Sequence, residues 1–381
     1  MKKTKKALVL AMAIIMAVAL VACGGKKEDK PSTSGTAQGT VAANQQGETP
    51  KEGGKTFKVG VAIYQYNDNF MTLYRTELDK YFKELGEKDG NTYELTFVDG
   101  KNDQATQTEQ LNNFIANKMN LIIANLVDPT AADQLIGQAK NADIPLVLIN
   151  REPRDTATMQ LWPGKVTYVG VDARQSGVYQ GEIIASLANK GDVNGDGKVN
   201  YLMIMGDAGN VDAEQRTKYS VETLQKSIPA ESLGEPQRGN WDEAKGQEIA
   251  ANALSQYGDQ LEVIFSNNDG MAKGAVTAIE QAGRKVNENI YIVGVDALPE
   301  VVEMIGNNKF TGTVLNDAFN QSHTAAEIAV KLLNGEEVAP YYWHDYVKVT
   351  KAEDANVQRV EPKPETIEEY TKRIEELYGS K

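Results

Sequence analysis

Directly after the apolar segment Gly60-Val61-Ala62-Ile63 comes the run Tyr64-Gln65-Tyr66-Asn67-Asp68-Asn69, and then Phe70 and Met71. Carboxylate, carboxamide and phenol groups pair with hydroxyls, and an aromatic ring covers a C–H face, so this cluster has the chemistry needed to grip a sugar. Gly60 to Ile63 reads as a buried strand, and Phe70 through Tyr81 has helical periodicity, which places the cluster in the first strand-to-helix loop. In open α/β sheets, ligands bind in loops of that kind.

A second run with chemical content is Asp192-Val193-Asn194-Gly195-Asp196-Gly197-Lys198-Val199-Asn200. Oxygen donors stand at its first, third, fifth and ninth places (Asp192, Asn194, Asp196, Asn200), a glycine at the sixth, and the Lys198 carbonyl at the seventh. That is the pattern of an EF-hand-type calcium loop. Met203 occupies the twelfth place, where the usual bidentate carboxylate would stand, and an Asn-Gly, Asp-Gly double turn without metal is the other reading.

The elements that must position these groups alternate along the chain. Strand-like runs span Leu95 to Val98, Leu121 to Leu126, Pro145 to Ile149, Tyr168 to Val171, Tyr201 to Met205, Val263 to Phe265, Ile290 to Val295 and Thr313 to Leu315, with helical stretches between them. Such alternation predicts parallel sheets built from βαβ units. Polar residues close each run: Asn125, Asn150, Asp172, Asp207, Asn267-Asn268-Asp269, Asp296 and Asn316-Asp317. Asn and Asp also serve as helix N-caps, so each is a candidate for that duty as well as for a site.

Together, Tyr64 to Met71, Asn125-Leu126-Val127-Asp128-Pro129, Asn267-Asn268-Asp269, Val293 to Glu300 and Gly312 to Asp317 resemble the galactose/glucose-binding protein family, over about Phe57 to Lys351. The resemblance implies the type I periplasmic-binding-protein fold, an α/β architecture of two Rossmann-like lobes joined by three crossover strands that act as a hinge. The lobes would be discontinuous: 57–144 with 316–351, and 145–315 with 352–381. Crossovers would fall near Pro145, Asn316 and Lys351. By the same resemblance Asp68, Asn125, Asp212, Arg216, Asn268, Asp296 and Asn316 would hydrogen-bond the sugar, while Phe70 and Trp241 would cover its two faces. Glu262 would complete the calcium site. Asn210 departs from the family, which has histidine there, so the preference among glucose, galactose and a pentose such as xylose stays open.

The N-terminus sets the compartment. Lys2, Lys3, Lys5 and Lys6 precede the uncharged run Leu8 to Ala22, the order of a secretory signal over residues 1–22. Leu20-Val21-Ala22-Cys23 resembles the lipobox of bacterial lipoproteins, which makes Cys23, the one cysteine of the chain, the lipidated residue and a lipid anchor the membrane contact. Residues 23–56, rich in Gly, Ser, Thr, Gln and Lys, read as a flexible tether. A net charge of −13 argues against nucleic acid as a partner. His323 and His344 sit in no metalloprotease or nucleophile-elbow setting, so the chain reads as a binding protein and not as an enzyme. The expected partners of this monomer are a monosaccharide and an ABC permease, with presentation of the sugar to a chemoreceptor or sensor kinase as the alternative.

Overall fold

The computed structural model describes residues 53–351 and 363–378. The leader, Cys23 and nearly all of the tether lie outside the described residues. Within the tether's expected span, Lys55 already pairs with Asn91, and a strand begins at Thr56, so the folded body starts slightly earlier than residue 57.

The first lobe opens with β1 (Thr56–Ile63), β2 (Thr92–Asp99), β3 (Leu121–Ala124), β4 (Leu146–Ile149) and β5 (Val166–Val171). Every residue of β3, β4 and β5 is buried, as expected of parallel strands covered on both faces by helices. The connecting helices are α1 (Asn69–Asp89), α2 (Gln104–Ala116) and α3 (Ala132–Asn141). After α4 (Ala173–Ala185), the second lobe contains β6 (Val199–Met205), β7 (Ala230–Ser232), β8 (Gln237–Arg238), β9 (Val263–Ser266), β10 (Tyr291–Val293) and β11 (Gly312–Leu315). Its helices are α5 (Val211–Gln225), α6 (Glu243–Tyr257), α7 (Asp269–Gln281) and α8 (Pro299–Gly306). The chain then returns through α9 (Ala318–Leu333) to β12 (Tyr341–His344), crosses to β13 (Val347–Thr350), and ends in β14 (Lys363–Glu365) and α10 (Ile367–Tyr378).

Two seven-stranded sheets result, ordered β14-β12-β5-β4-β3-β1-β2 and β13-β11-β10-β9-β6-β7, with β8 also pairing β6. Five strands of each sheet repeat one doubly wound order, and in that order the crevice opens at the carboxyl ends of the central strands. All pairings are parallel except β11 with β13 and β12 with β14.

This pairing corrects the expected lobe boundaries. Leu146 pairs with Ile122 and Val166 with Leu146, so β4 and β5 extend the first sheet, and the chain leaves it after Val171 instead of near Pro145. The third crossover lies at Asp345-Tyr346, because β13 is already hydrogen-bonded to β11 in the second sheet. Residues 363–365 join the first lobe, pairing β12, and not the second. Pro364 sits in the edge strand β14, where its missing N–H costs no ladder bond, and α10 begins just beyond it at Ile367.

Candidate functional site

One cleft is lined by Tyr64, Asp68, Phe70, Asn150 and Arg151 from the first lobe, by Asn210, Asp212, Arg216, Trp241, Asn268 and Asp296 from the second, and by Asn316 at a crossover. It holds about 330 Å³ of unoccupied space, part of it open to solvent. The residues arrive there because they terminate strands or open helices. Asp68 precedes α1, Asn210 precedes α5 and Asn268 precedes α7, each accepting a hydrogen bond from a first-turn N–H, of Met71, Ala213 and Met271 respectively.

Capping and cleft-lining are thus one arrangement. The cap consumes Oδ1 of Asn210 (2.9 Å from Ala213 N) and of Asn268 (3.0 Å from Met271 N), which leaves their amide groups as donors. Asp68 accepts from Met71 N on Oδ1 (2.7 Å) and from the Tyr64 hydroxyl on Oδ2 (2.6 Å). At the crossover, Asn316 donates from Nδ2 to Asp296 (3.3 Å) and accepts from Gln321 Nε2 (2.7 Å).

Three lining residues hold backbone angles that favour glycine: Asn150 at φ 60°, Trp241 at 64° and Asp296 at 126°. The last is pinned by Asp296 N donating to Val314 O (2.8 Å), and Leu298 N nearby donates to Asp269 Oδ2 (3.0 Å). Conformations of this kind persist only where surrounding bonds enforce them, and they cluster at functional sites.

Burial shapes the electrostatics. Loss of hydration raises the carboxyls of Asp68 and Asp212 and lifts that of Asp296 well above the ordinary range. The Tyr64 hydrogen bond opposes this at Asp68, and the Arg216 charge opposes it at Asp212 and Asp296. Arg216 donates to Asn267 O (2.8 Å) and to the Tyr346 hydroxyl (2.9 Å). Its Nε and the Trp241 Nε1 are buried donors without a partner among the described residues. Buried donors are normally paired, so two orphans on one cleft wall are a pointer to a polar ligand.

Of the ten residues expected to grip a sugar, nine line this cleft, including Asn210. Asn125 does not. It is fully buried behind the wall, where Oδ1 accepts from Tyr64 N (3.3 Å) and Nδ2 donates to Ile149 O (3.2 Å) and Asn150 Oδ1 (3.0 Å). Both amide hydrogens are spent, so Asn125 ties the ends of β1, β3 and β4 together and leaves the wall to Asn150. Of the three remaining lining residues, Tyr64 belongs to the run read from the sequence as sugar-gripping and Asn150 to the polar strand ends, whereas Arg151 was not singled out. Asn150-Arg151 directly follows an apolar run, the same signal that marked the other strand ends. Arg151 lies 3.5 Å above the Tyr64 ring and pairs with Asp207 of the other lobe.

Remote from the cleft, the loop Asp192 to Asn200 folds onto Glu262, which has no exposed surface. Glu262 accepts from Val193 N (2.8 Å) and Asn194 N (3.1 Å) on one oxygen and from Asn200 N (2.8 Å) on the other. Asp192 accepts from Gly195, Asp196 and Gly197, Asn194 from Asp196, and Asp196 from Lys198. The donor set is all oxygen, which suits a hard cation. In this arrangement the carboxylates turn onto loop N–H groups, and among the described residues no three acidic, His or Cys side chains are grouped to hold a metal.

Two doubly wound lobes closing on a polar, aromatic-flanked cleft define a two-lobed binding protein. A family profile for the periplasmic binding protein domain matches residues 59–337. A D-galactose/methyl-galactoside binding periplasmic protein of Haemophilus influenzae is 39% identical over 73% of this chain and 82% of its own length. A putative rhizopine-binding protein of Rhizobium meliloti is 32% identical over 79% and 92%. The crystal structure of an ABC transporter solute binding protein of Bacillus halodurans with bound myo-inositol superimposes with a TM-score of 0.67 at 26% identity, covering 78% of this chain and 95% of that one. The chain belongs to the periplasmic binding protein family, with its type I fold. It is a binding protein and not an enzyme, and family membership places its work outside the cytoplasm. Among the described residues no helix is long and apolar enough to cross a membrane.

Proposed function

We propose that this protein captures a hexose, D-galactose or D-glucose, and hands it to an ABC importer. One observation carries the reading: three carboxylates, one Arg216 guanidinium and the donor ends of Asn210 and Asn268 surround a cleft that also receives Phe70 from one lobe and Trp241 from the other. A pyranose offers hydroxyls around its rim and C–H groups on its faces, and this lining is complementary to both. The Haemophilus influenzae relative, named for galactoside binding, supports the choice of sugar. Closure of the lobes buries the ligand, and the permease recognises the closed form. Cys23 carries the lipid that holds the protein at the membrane, and calcium bound by Asp192, Asn194, Asp196, the Lys198 carbonyl, Asn200 and Glu262 stiffens the second lobe.

The test is calorimetric titration with D-galactose, D-glucose and D-xylose after removal of any co-purified sugar. Saturable one-to-one binding of a hexose in the micromolar range or tighter, about −8 kcal/mol or better, is expected. Folded protein that takes up xylose and neither hexose would assign the cleft to a pentose. No heat with any of the three would overturn the sugar assignment.

A further inference from the structure

Gly206 is not part of the cleft wall and lies directly behind it. It follows β6, and a Cβ built on it would come within 2.0, 2.2 and 2.3 Å of Cζ2, Cη2 and Cε2 of Trp241. Those atoms are neighbours around the six-membered ring. A point almost equally near to all three lies over the face of the ring, because an edge-on approach would leave the two flanking atoms much farther away than the middle one. The indole therefore lies flat on the glycine, and its other face is left to the cleft that Trp241 lines.

Both backbones are anchored. Gly206 N donates to Asn267 Oδ1 (3.1 Å) and its carbonyl accepts from Arg238 Nη1 (3.2 Å). On the tryptophan side, Gly239 N donates to Met205 O (2.9 Å) and Asp242 N to Gly239 O (3.0 Å), while Asn240 and Trp241 hold φ of 50° and 64°. A methyl group at Gly206 is then relieved only by the ring swinging off it. Since carbon atoms settle at about 3.5–4.0 Å, the displacement is on the order of 1.5 Å, toward the cleft.

We propose that Gly206 sets the depth of the aromatic wall and thereby the ring thickness the cleft admits, acting as a positioning residue through Trp241. The inference rests on the reading of the cleft as a sugar site. In that site the absent side chain lets the indole sit back far enough to accept a puckered pyranose.

The experiment compares the unchanged protein with Gly206→Ala, Trp241→Phe and the double variant. In sugar-free protein labelled with 5-fluorotryptophan, the fluorine resonance of Trp241 is assigned by its loss in Trp241→Phe. Gly206→Ala is expected to move that resonance and leave those of Trp162 and Trp343 in place; an unmoved Trp241 resonance overturns the proposal. In titrations with whichever of D-galactose, D-glucose or D-xylose the unchanged protein binds, Gly206→Ala is expected to weaken affinity about 30-fold or more. In the Trp241→Phe background the same substitution should cost less than about 3-fold, because the shorter ring no longer overlies the glycine. An equal loss in both backgrounds, or no loss in either, refutes the positioning role. If the unchanged protein binds none of the three sugars, the sugar reading fails, while the fluorine spectra still decide whether Gly206 places the indole.

Discussion

Arg151 and Asp207 meet across the cleft, with Nη2 of the arginine 2.7 Å from Oδ2 of the aspartate. Arg151 follows β4 in the first lobe and Asp207 follows β6 in the second, so the bond exists only when the lobes are together. Their side chains are 3% and 11% exposed, and Asn102 approaches the second Asp207 oxygen at 3.4 Å. Beside this pair, Arg154 donates to Gly209 O at 2.7 Å. Removing one partner of a buried pair leaves the other uncompensated and disfavours the state that contains it. Asp207→Ala is therefore expected to shift the protein toward the open form and weaken binding of every sugar by a common factor of about 10, mainly through faster release. Titration and stopped-flow release with two sugars would show it. A changed order of preference with no general loss would make Asp207 a determinant of ligand choice instead of closure.

Asn210 performs two tasks that substitution can separate. Its Oδ1 caps α5, worth about 1 kcal/mol of stability, and its amide faces the cleft. Asn210→Asp keeps the cap and loses the donor, so it should melt near the unchanged protein yet bind hexose about 5- to 10-fold more weakly, the worth of one hydrogen bond. Asn210→Ala should lose both. If the aspartate variant binds normally, the amide contributes nothing to recognition and the departure from histidine at this position is neutral.

Much of this was legible in the sequence for a physical reason. Strands buried on both faces show as unbroken apolar runs, and the polar residue ending each run has to be at a crevice or a helix start, which in Asp68, Asn210 and Asn268 proved to be the same place. What could not be read was pairing. Nothing in Leu146 to Ile149 states which sheet it joins, and the first crossover was misplaced accordingly. Asn125 and Asn150 both close an apolar run. Only the fold shows that Asn125 is sealed beneath Gln107 and Tyr64 while Asn150, at a left-handed backbone angle, reaches the surface of the cleft. The short strands β12 and β13 were missed because the runs are too brief for periodicity to speak.

Glu262 offers a test of the metal. Chelation is expected to lower the melting temperature, and added calcium to restore it, with the order of sugar preference unchanged. Glu262→Ala should melt lower still and lose its response to calcium. Part of that cost is independent of metal, since Val193, Asn194 and Asn200 would each lose their N–H acceptor, and the buried Asn200 N–H left unpaired costs about 1–3 kcal/mol. If chelation and calcium leave the unchanged protein's melting temperature alone, the loop binds no metal and Glu262 is a staple made of hydrogen bonds.

Asp269 predicts how stability follows pH. It opens α7 beneath the cleft, accepting from the Thr313 hydroxyl (2.6 Å) and from Leu298 N (3.0 Å). Burial lifts its carboxyl to about 7, against the opposing pull of those two bonds. In the unfolded chain an aspartate titrates near about 3.9, so between roughly pH 4 and 7 the native state holds a proton that the unfolded state has released. The sign follows from linkage: the stabilising contribution is complete below the unfolded value, shrinks as pH rises through the window, and is gone above about 7. Sugar-free protein should therefore melt higher at pH 5 than at pH 8, and the buried carboxyls of Asp68, Asp212 and Asp296, also raised, act in the same direction. Asp269→Asn mimics the protonated form, since the Thr313 hydroxyl can turn to suit it, and should flatten the slope by raising the melting temperature at pH 8 alone. A slope that survives in Asp269→Asn would assign the proton to the cleft carboxyls, in which case adding saturating sugar, which covers them, should flatten the profile where the substitution did not.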